Sequence, residues 1–352
     1  MDKQISTVKL FESVTIETVL TLLPSQATLE QVKTFLASKG LSFSAGNWET
    51  MIDQKLRPAY SAGKISLNEF ADFLASVEEH GKQHVLLYKC NAKLLNSLFA
   101  TDHVKQVCNT ESRFPMINVR SIVDMPSTPT IVEVRNDVTK RGNAIVAKVV
   151  EKRHLLQEST RKEWEENGRL MTSVETRPYR AANVVRICED GICEIRIHSH
   201  SDAYAYEMEA TALVNSLEPL IGYSDLVSMS LLDARNFAVD PRFRTEAKRL
   251  IDLRHTEHLD LADGRLRPSV GGMSQSMLDN VAVTSAIDAF QKEDSSVHRA
   301  GLRLKKVEGL RRGLNLGLSG ADNEFFLTAK VTTEEYETVL NLLLTCMTKM
   351  NQ

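Results

Sequence analysis

The residues best suited to chemistry are two histidines and an aspartate in the stretch EIRIHSHSDAYAYE, residues 194–207. His198 and His200 are separated by one residue at the end of a β-branched run, and Asp202 follows. Two imidazoles at a strand end can bind a divalent metal such as zinc, with the carboxylate as a further ligand or a general base. This spacing points to a metal-dependent hydrolase or nuclease.

A site of that kind needs more ligands than these three. The remaining candidates are His255 and His258 in RHTEHLDLAD, where we predict a helix that would turn both rings to one side. The His-x-His pattern is not followed by the Asp-His pair of the common metallohydrolase signature. Two solvated histidines on a sheet are the simpler interpretation, so no cofactor is expected, with a divalent metal as the alternative.

Two other patterns are compatible with catalysis. Asp124 with Glu133 and Arg135 could imitate an acidic nuclease core that holds Mg²⁺. Arg249 and His255 have the Arg-to-His spacing of a family of helical ribonucleases. Both patterns are short, and an ordinary half-exposed strand and an amphipathic helix explain them equally well.

The register of the hairpin VVRICEDGICEIRI decides where the histidines of the first pattern point. A two-residue loop, Asp190–Gly191, would mix apolar and charged side chains on each face. A three-residue loop with Gly191 in a left-handed bulge instead pairs Arg186 with Glu194 on one face and leaves the other face apolar. We therefore predict the three-residue loop.

In this register one face of the sheet is polar and basic, and we expect it to be exposed to solvent. It carries the two histidines of the first pattern and three arginines, Arg180, Arg186 and Arg196. Asp202 then has a simpler role as a helix N-cap. The histidines are expected to support a positively charged surface.

The densest charge cluster lies in RAGLRLKKVEGLRRGLNLGLSG and is named the basic ridge here. Its members are Arg299, Arg303, Lys305, Lys306, Arg311 and Arg312. Leu302 and Leu304 alternate with the cations, which predicts a hairpin with one apolar and one basic face. Basic side chains on such a face can bind phosphates without reading sequence. A solvated outer face, or one that pairs with an acidic partner, is the alternative.

The composition is that of a globular protein with no dominant charge. The chain has 352 residues, of which 42% are hydrophobic and 25% are charged, and its formal net charge is -3. This balance excludes a strongly basic nucleic-acid-binding domain, so only local patches could serve. The scattered cysteines indicate a reducing compartment, which we take to be the cytoplasm. The sequence has no apolar run long enough to predict a membrane-spanning helix, so we expect no membrane partner.

The order of the elements predicts an α+β fold in three parts. Residues 1–82 form a small helical domain, residues 83–222 a β-rich domain with a mixed or antiparallel sheet and a closing helix, and residues 223–352 a helix-rich part that ends in a β-β-β-α unit. Thr28-Leu-Glu-Gln31 and Thr332-Thr-Glu-Glu335 are capping boxes that should begin two of the helices.

The leading hypothesis is a non-catalytic subunit or adaptor. It would bind nucleic acid through basic sheet faces and contact a protein partner through its helical N-terminus. The metal-dependent hydrolase or nuclease is the second hypothesis, and a structural component of a protein assembly is the third.

Overall fold

The computed structural model describes residues 8–100, 102–200, 205–262, 264–271, 275–291, 295–318 and 321–352. Its helices are α1 (Ile16–Gln26), α2 (Leu29–Ser38), α3 (Trp48–Met51), α4 (Arg57–Ser61), α5 (Leu67–Glu79), α6 (Ala92–Leu98), α7 (His103–Thr110), α8 (Tyr206–Ser216), α9 (Leu232–Phe237), α10 (Arg244–Leu250), α11 (Val281–Gln291) and α12 (Thr333–Met350). Its strands are β1 (Lys9–Leu10), β2 (Gln83–Cys90), β3 (Val119–Arg120), β4 (Thr130–Thr139), β5 (Gly142–Glu166), β6 (Arg169–Cys188), β7 (Ile192–His198), β8 (Leu226–Ser228), β9 (Ile251–Leu259), β10 (Arg265–Leu266), β11 (Ser296–Leu304), β12 (Leu314–Leu318) and β13 (Glu324–Leu327). The α+β prediction is confirmed. In the part of the chain that the structure describes, no helix combines the length and the apolar character needed to cross a membrane.

The chain divides into two compact units. The first unit comprises Met1–Glu79 and Cys90–Asp225, and the second comprises His80–Lys89 and Leu226–Gln352. The helices predicted as a separate domain over residues 1–82 therefore belong to the same unit as most of the predicted β-rich domain, 83–222. The predicted boundary near residue 222 lies close to the division at Asp225, where the C-terminal part, 223–352, begins.

The first unit contains a sheet with the strand order β1-β3-β4-β5-β6-β7. Strands β1 and β3 are parallel, and the other neighbouring strands in this order are antiparallel. The β5–β6 hairpin is long, since its pairing continues from Ala144–Cys188 to Glu166–Arg169. This sheet places the arginines of the predicted basic face on adjacent strands.

The N-terminal helices of the first unit pack around their own apolar core, which includes Leu23, Leu36 and Phe70. The helix that contains Pro58 continues across this residue, although a proline inside a helix usually ends or bends it. A π-helical turn, Ile52–Leu56, joins α3 to α4. Such a turn changes the hydrogen-bonding pattern just where the proline lacks an N–H group.

The second unit contains a sheet with the strand order β2-β13-β12-β11-β9-β10, and β8 pairs with β2. Strands β11, β12 and β13 follow one another as an antiparallel meander before α12, so the predicted β-β-β-α ending is present. The prediction of a helix at RHTEHLDLAD is wrong, since most of that stretch lies within Ile251–Leu259. That segment is strand β9 because it pairs with β11 along most of its length.

The predicted capping box of α12 is present, and its contribution to stability can be measured. The Thr332 hydroxyl accepts the Glu335 N–H, and the Glu335 side chain accepts the Thr332 N–H. We expect Thr332→Ala to lower the free energy of unfolding by about 1 kcal/mol, because a helix-end donor loses its acceptor. Urea unfolding followed by circular dichroism measures this change. Thr345→Ala is the matched control, since Thr345 is exposed inside the same helix; an equal loss in both variants would contradict the capping role.

Candidate nucleic-acid interface

The register of the β6–β7 hairpin is the predicted one. Arg186 lies opposite Glu194 and Val185 lies opposite Ile195. Gly191 has a φ of 83°, the left-handed conformation that the three-residue loop requires. The sequence therefore predicted correctly which side chains share a face.

The prediction that this face is exposed is wrong. Arg180, Arg186 and Arg196 are 2%, 4% and 1% exposed. The end of helix α5 contributes Glu78, whose Oε1 lies 2.8 Å from Arg180 Nε and whose Oε2 lies 2.5 Å from Lys148 Nζ. These arginines are withdrawn from solvent and paired with carboxylates, so they are not accessible to the phosphates of a nucleic acid.

Glu194 is the centre of this buried ion-pair network. Its two oxygens each accept a hydrogen bond of 2.9 Å from Arg186, and Arg196 Nη2 lies 3.0 Å from Oε2. Arg141 also pairs with this carboxylate. Burial alone would raise the pKa of Glu194, but the three guanidinium groups outweigh burial and lower the pKa to about 2.

The suggested magnesium core at Asp124, Glu133 and Arg135 is also part of the buried network. Glu133 is fully buried, and its oxygens lie 2.8 and 3.0 Å from nitrogens of Arg120. Arg135 lies 3.4 Å from the same carboxylate. The backbone carbonyl of Asp124 accepts a hydrogen bond from Arg180. The carboxylate that would have bound the metal is therefore already paired with arginines.

The two histidines of the first pattern form protein contacts. The ring centroid of His198 lies 5.4 Å from that of Tyr179. The Nε2 atom of His200 lies 2.6 Å from an oxygen of Glu209 on α8. Asp202 lies outside the described residues.

The two later histidines do not share a helix face, because the strand β9 replaces the predicted helix. His255 is exposed, whereas His258 is fully buried. His258 Nε2 lies 2.8 Å from the Thr256 hydroxyl, and burial lowers the pKa of His258 to about 4. The Arg249–His255 pattern loses its helical basis for the same reason, since Arg249 lies in the last turn of α10 and His255 lies on the strand. Among the described residues, no group of three or more His, Cys, Asp or Glu side chains is arranged to bind a metal ion.

The basic ridge lies on β11 and on the segment that connects β11 to β12. Arg299 pairs with Glu257 at 3.8 Å, Lys305 with Asp252 at 3.3 Å, and Arg311 with Glu335 at 3.5 Å. The other three members have no carboxylate partner among the residues that the structure describes. They are the half-buried Arg303 and the exposed Lys306 and Arg312.

The outward face of the same sheet contains a row of rings and glycines, which we name the ring row. Its five members lie opposite one another on five adjacent strands, in the order His255, Gly301, Gly317, Phe326 and His84. A Cβ added to Gly301 would lie 2.0 Å from the His255 ring, and one added to Gly317 would lie 2.0 Å from the Phe326 ring. The two rings therefore lie across the glycines of the neighbouring strands.

Arginines border the exposed end of the ring row. Arg265, Arg267 and Arg299 approach the single carboxylate of Glu257, and the closest contact is 2.6 Å from Arg267. The hydrogen bond from Arg267 lowers the pKa of Glu257. Side chains of all three arginines are more than half exposed. One carboxylate against three guanidinium groups leaves this corner of the sheet with excess positive charge.

The chain matches no protein-family model, and a search of curated proteins finds no relative. The candidate interface is therefore defined by its geometry alone. The ring row and the arginines around Glu257 lie on one face of the second unit's sheet, and the cations of the basic ridge lie on β11 and on the segment that follows it.

Several members of this interface were not predicted from the sequence. They are His84, Arg265, Arg267, Gly301, Gly317 and Phe326. The signal that could have indicated them is local: Arg265 and Arg267 alternate, as expected of outward-facing residues near a strand. Phe326 follows the buried Phe325 in β13, and the sequence does not show which of the two faces the core.

Proposed function

We propose that the protein is a non-catalytic nucleic-acid-binding subunit or adaptor. The basic face of its second unit binds nucleic-acid phosphates, and its N-terminal helices provide the contact with a protein partner. The proposed nucleic-acid site is on the second unit and not on the sheet of the first unit, because the arginines of that sheet are buried.

One observation carries the proposal. Arg303, Lys306 and Arg312 have no carboxylate partner in the described part of the chain, whereas the buried arginines of the first unit are paired. A cation that no protein carboxylate neutralises keeps a layer of small anions around it. Phosphate binding releases the condensed counterions of the nucleic acid, which is the main source of salt-dependent affinity.

The metal-dependent alternative has less support. His200 already pairs with Glu209, and His255 is exposed whereas His258 is fully buried. We therefore assign no catalytic step to these histidines.

A salt series with a charge-removal variant tests the proposal. We expect the triple variant Arg303→Ala, Lys306→Ala, Arg312→Ala to bind a labelled oligonucleotide about tenfold or more weakly, because up to three phosphate contacts are lost. The slope of log affinity against log salt should become shallower by about 2. Fluorescence anisotropy between about 50 and 200 mM salt measures both quantities.

The matched control removes the same charge from the first unit. Lys64, Lys93 and Lys105 are exposed there, and their joint replacement by alanine should leave affinity and slope near those of the unaltered protein. If the ridge variant retains both quantities, the ridge does not bind phosphates. If the unaltered protein binds neither single strands nor duplexes at the lowest salt, the proposed function is wrong.

A further inference from the structure

We propose that the ring row, His255–Gly301–Gly317–Phe326–His84, is a stacking platform for the bases of a single-stranded nucleic acid. The proposal rests on the proposed function and narrows it from any polyanionic strand to one with unpaired bases. The shared ligand chemistry is a flat base joined to a phosphate, which both RNA and DNA provide.

The first support is that the rings are held close against the sheet. The nearest His255 and Phe326 ring atoms would lie 2.0 Å from a Cβ added to Gly301 and Gly317. Any residue except glycine at these two positions would force the rings away from the sheet. Two glycines opposite each other on adjacent strands give the rings the room to lie across them.

The second support is that an aromatic residue occupies the outward face of the sheet. Phe325 is fully buried in the core, and the next residue, Phe326, points to the opposite face and is only partly covered. The ring of His84 stacks beside it, with 5.0 Å between centroids and 21° between planes. His255, at the other end of the row, is exposed. Flat rings on the outward face of a sheet are the common element of sheets that stack bases.

The third support is the position of the cations. Arg299 precedes Gly301 by two residues and Arg303 follows it by two, so both lie on the same face of β11 and on opposite sides of the ring row. Each is about 7 Å from Gly301 along the strand. Phosphates on either side of a stacked base would therefore meet a guanidinium group.

The ring row distinguishes single strands from duplexes. A duplex hides the faces of its bases inside its own stack, so it can meet only the cations of this surface. An unpaired base exposes its π-face and can lie on the rings without any particular sequence. We therefore expect preference for single strands, and little preference among bases.

The test compares an oligo-dT and an oligo-U with a hairpin duplex of similar length, using Phe326→Leu, which removes the ring and keeps an apolar side chain. We expect about tenfold weaker binding of both single strands, because one stacking contact is lost. The salt slope should not change, since no charge is removed. Duplex affinity should also stay the same. A larger effect on oligo-U than on oligo-dT would assign the platform to RNA, and the reverse would assign it to DNA.

Two controls show that a loss of binding in Phe326→Leu does not come from general damage to the fold. Trp164→Leu removes an exposed ring from the β5–β6 hairpin, and it should leave single-strand binding unchanged. In the unaltered protein, oligo-dT should shift the imidazole proton resonances of His255 through the ring current of the bound base, whereas inorganic phosphate should not. Absence of that shift at saturating oligo-dT would overturn the platform without any variant.

The remaining outcomes separate the platform from the proposed function. If Phe326→Leu leaves single-strand binding unchanged while the ridge variant weakens it, the platform is wrong and phosphate binding stands. If no nucleic acid binds the unaltered protein, both are wrong. Polyglutamate should compete through the cations alone, so a loss of polyglutamate binding in Phe326→Leu would also overturn base stacking.

Discussion

Glu194→Gln should lower the free energy of unfolding by about 3–5 kcal/mol, the cost of removing one partner from a buried ion pair. The glutamine has nearly the same shape but no charge. Arg186, Arg196 and Arg141 would then remain buried around a neutral amide. A loss of this size is a large fraction of the stability of a typical domain. Urea unfolding followed by circular dichroism measures it.

Two further variants show whether charge is the cause. Glu163→Gln makes the same chemical change on an exposed part of β5, and it should change the free energy of unfolding by less than about 0.5 kcal/mol. Combining Glu194→Gln with Arg196→Met removes one buried guanidinium group that has lost its carboxylate partner. The double variant should therefore regain part of the lost free energy of unfolding. A loss as small as that of Glu163→Gln would contradict the central role of Glu194.

Acid should destabilise the first unit between about pH 4.5 and about pH 2. Burial would raise the pKa of Glu78, but Arg180 and Lys148 outweigh it and lower the pKa to about 2, as three arginines do for Glu194. Both carboxylates have an ordinary pKa of 4.5. Below that value the unfolded chain takes up protons that the folded chain does not, so stability falls as the pH falls.

The expected loss is roughly 3 kcal/mol for each of the two carboxylates over this interval. Well above pH 4.5 both groups are ionised in both states, and their contribution is complete. Urea unfolding at several pH values measures the loss. Glu194→Gln should show clearly less acid dependence than the unaltered protein, whereas Glu163→Gln should show all of it. Equal acid dependence in all three proteins would mean that other groups control acid stability.

The buried network shows what local sequence patterns can predict. The β6–β7 register was predictable because a three-residue loop and alternating side chains fix it within a few neighbouring residues. The burial of that face was not predictable, because its cover comes from Glu78 on α5, which is 102 residues before Arg180. Alternation indicates which side chains share a face, and it does not indicate whether water or a helix lies against that face.

The ring row shows the same limit more strongly. Its members range from His84 to Phe326 in the sequence, and only the pairing of five strands brings them into one line. The basic ridge was visible because its cations lie within a short stretch of sequence. The prediction of a helix at RHTEHLDLAD was wrong because Leu253 and its neighbours fit either period, and pairing with β11 decides in favour of the strand.

The ion pairs between α5 and the central sheet also determine which parts of the chain can exist alone. A fragment that begins at residue 83 would lack Glu78 and Glu79, and Lys148, Arg135 and Arg180 would face the space that those carboxylates occupied. The N-terminal helices are therefore not an exchangeable module attached to a sheet. They supply the counter-charges of the sheet, so we expect the two parts to fold stably only together.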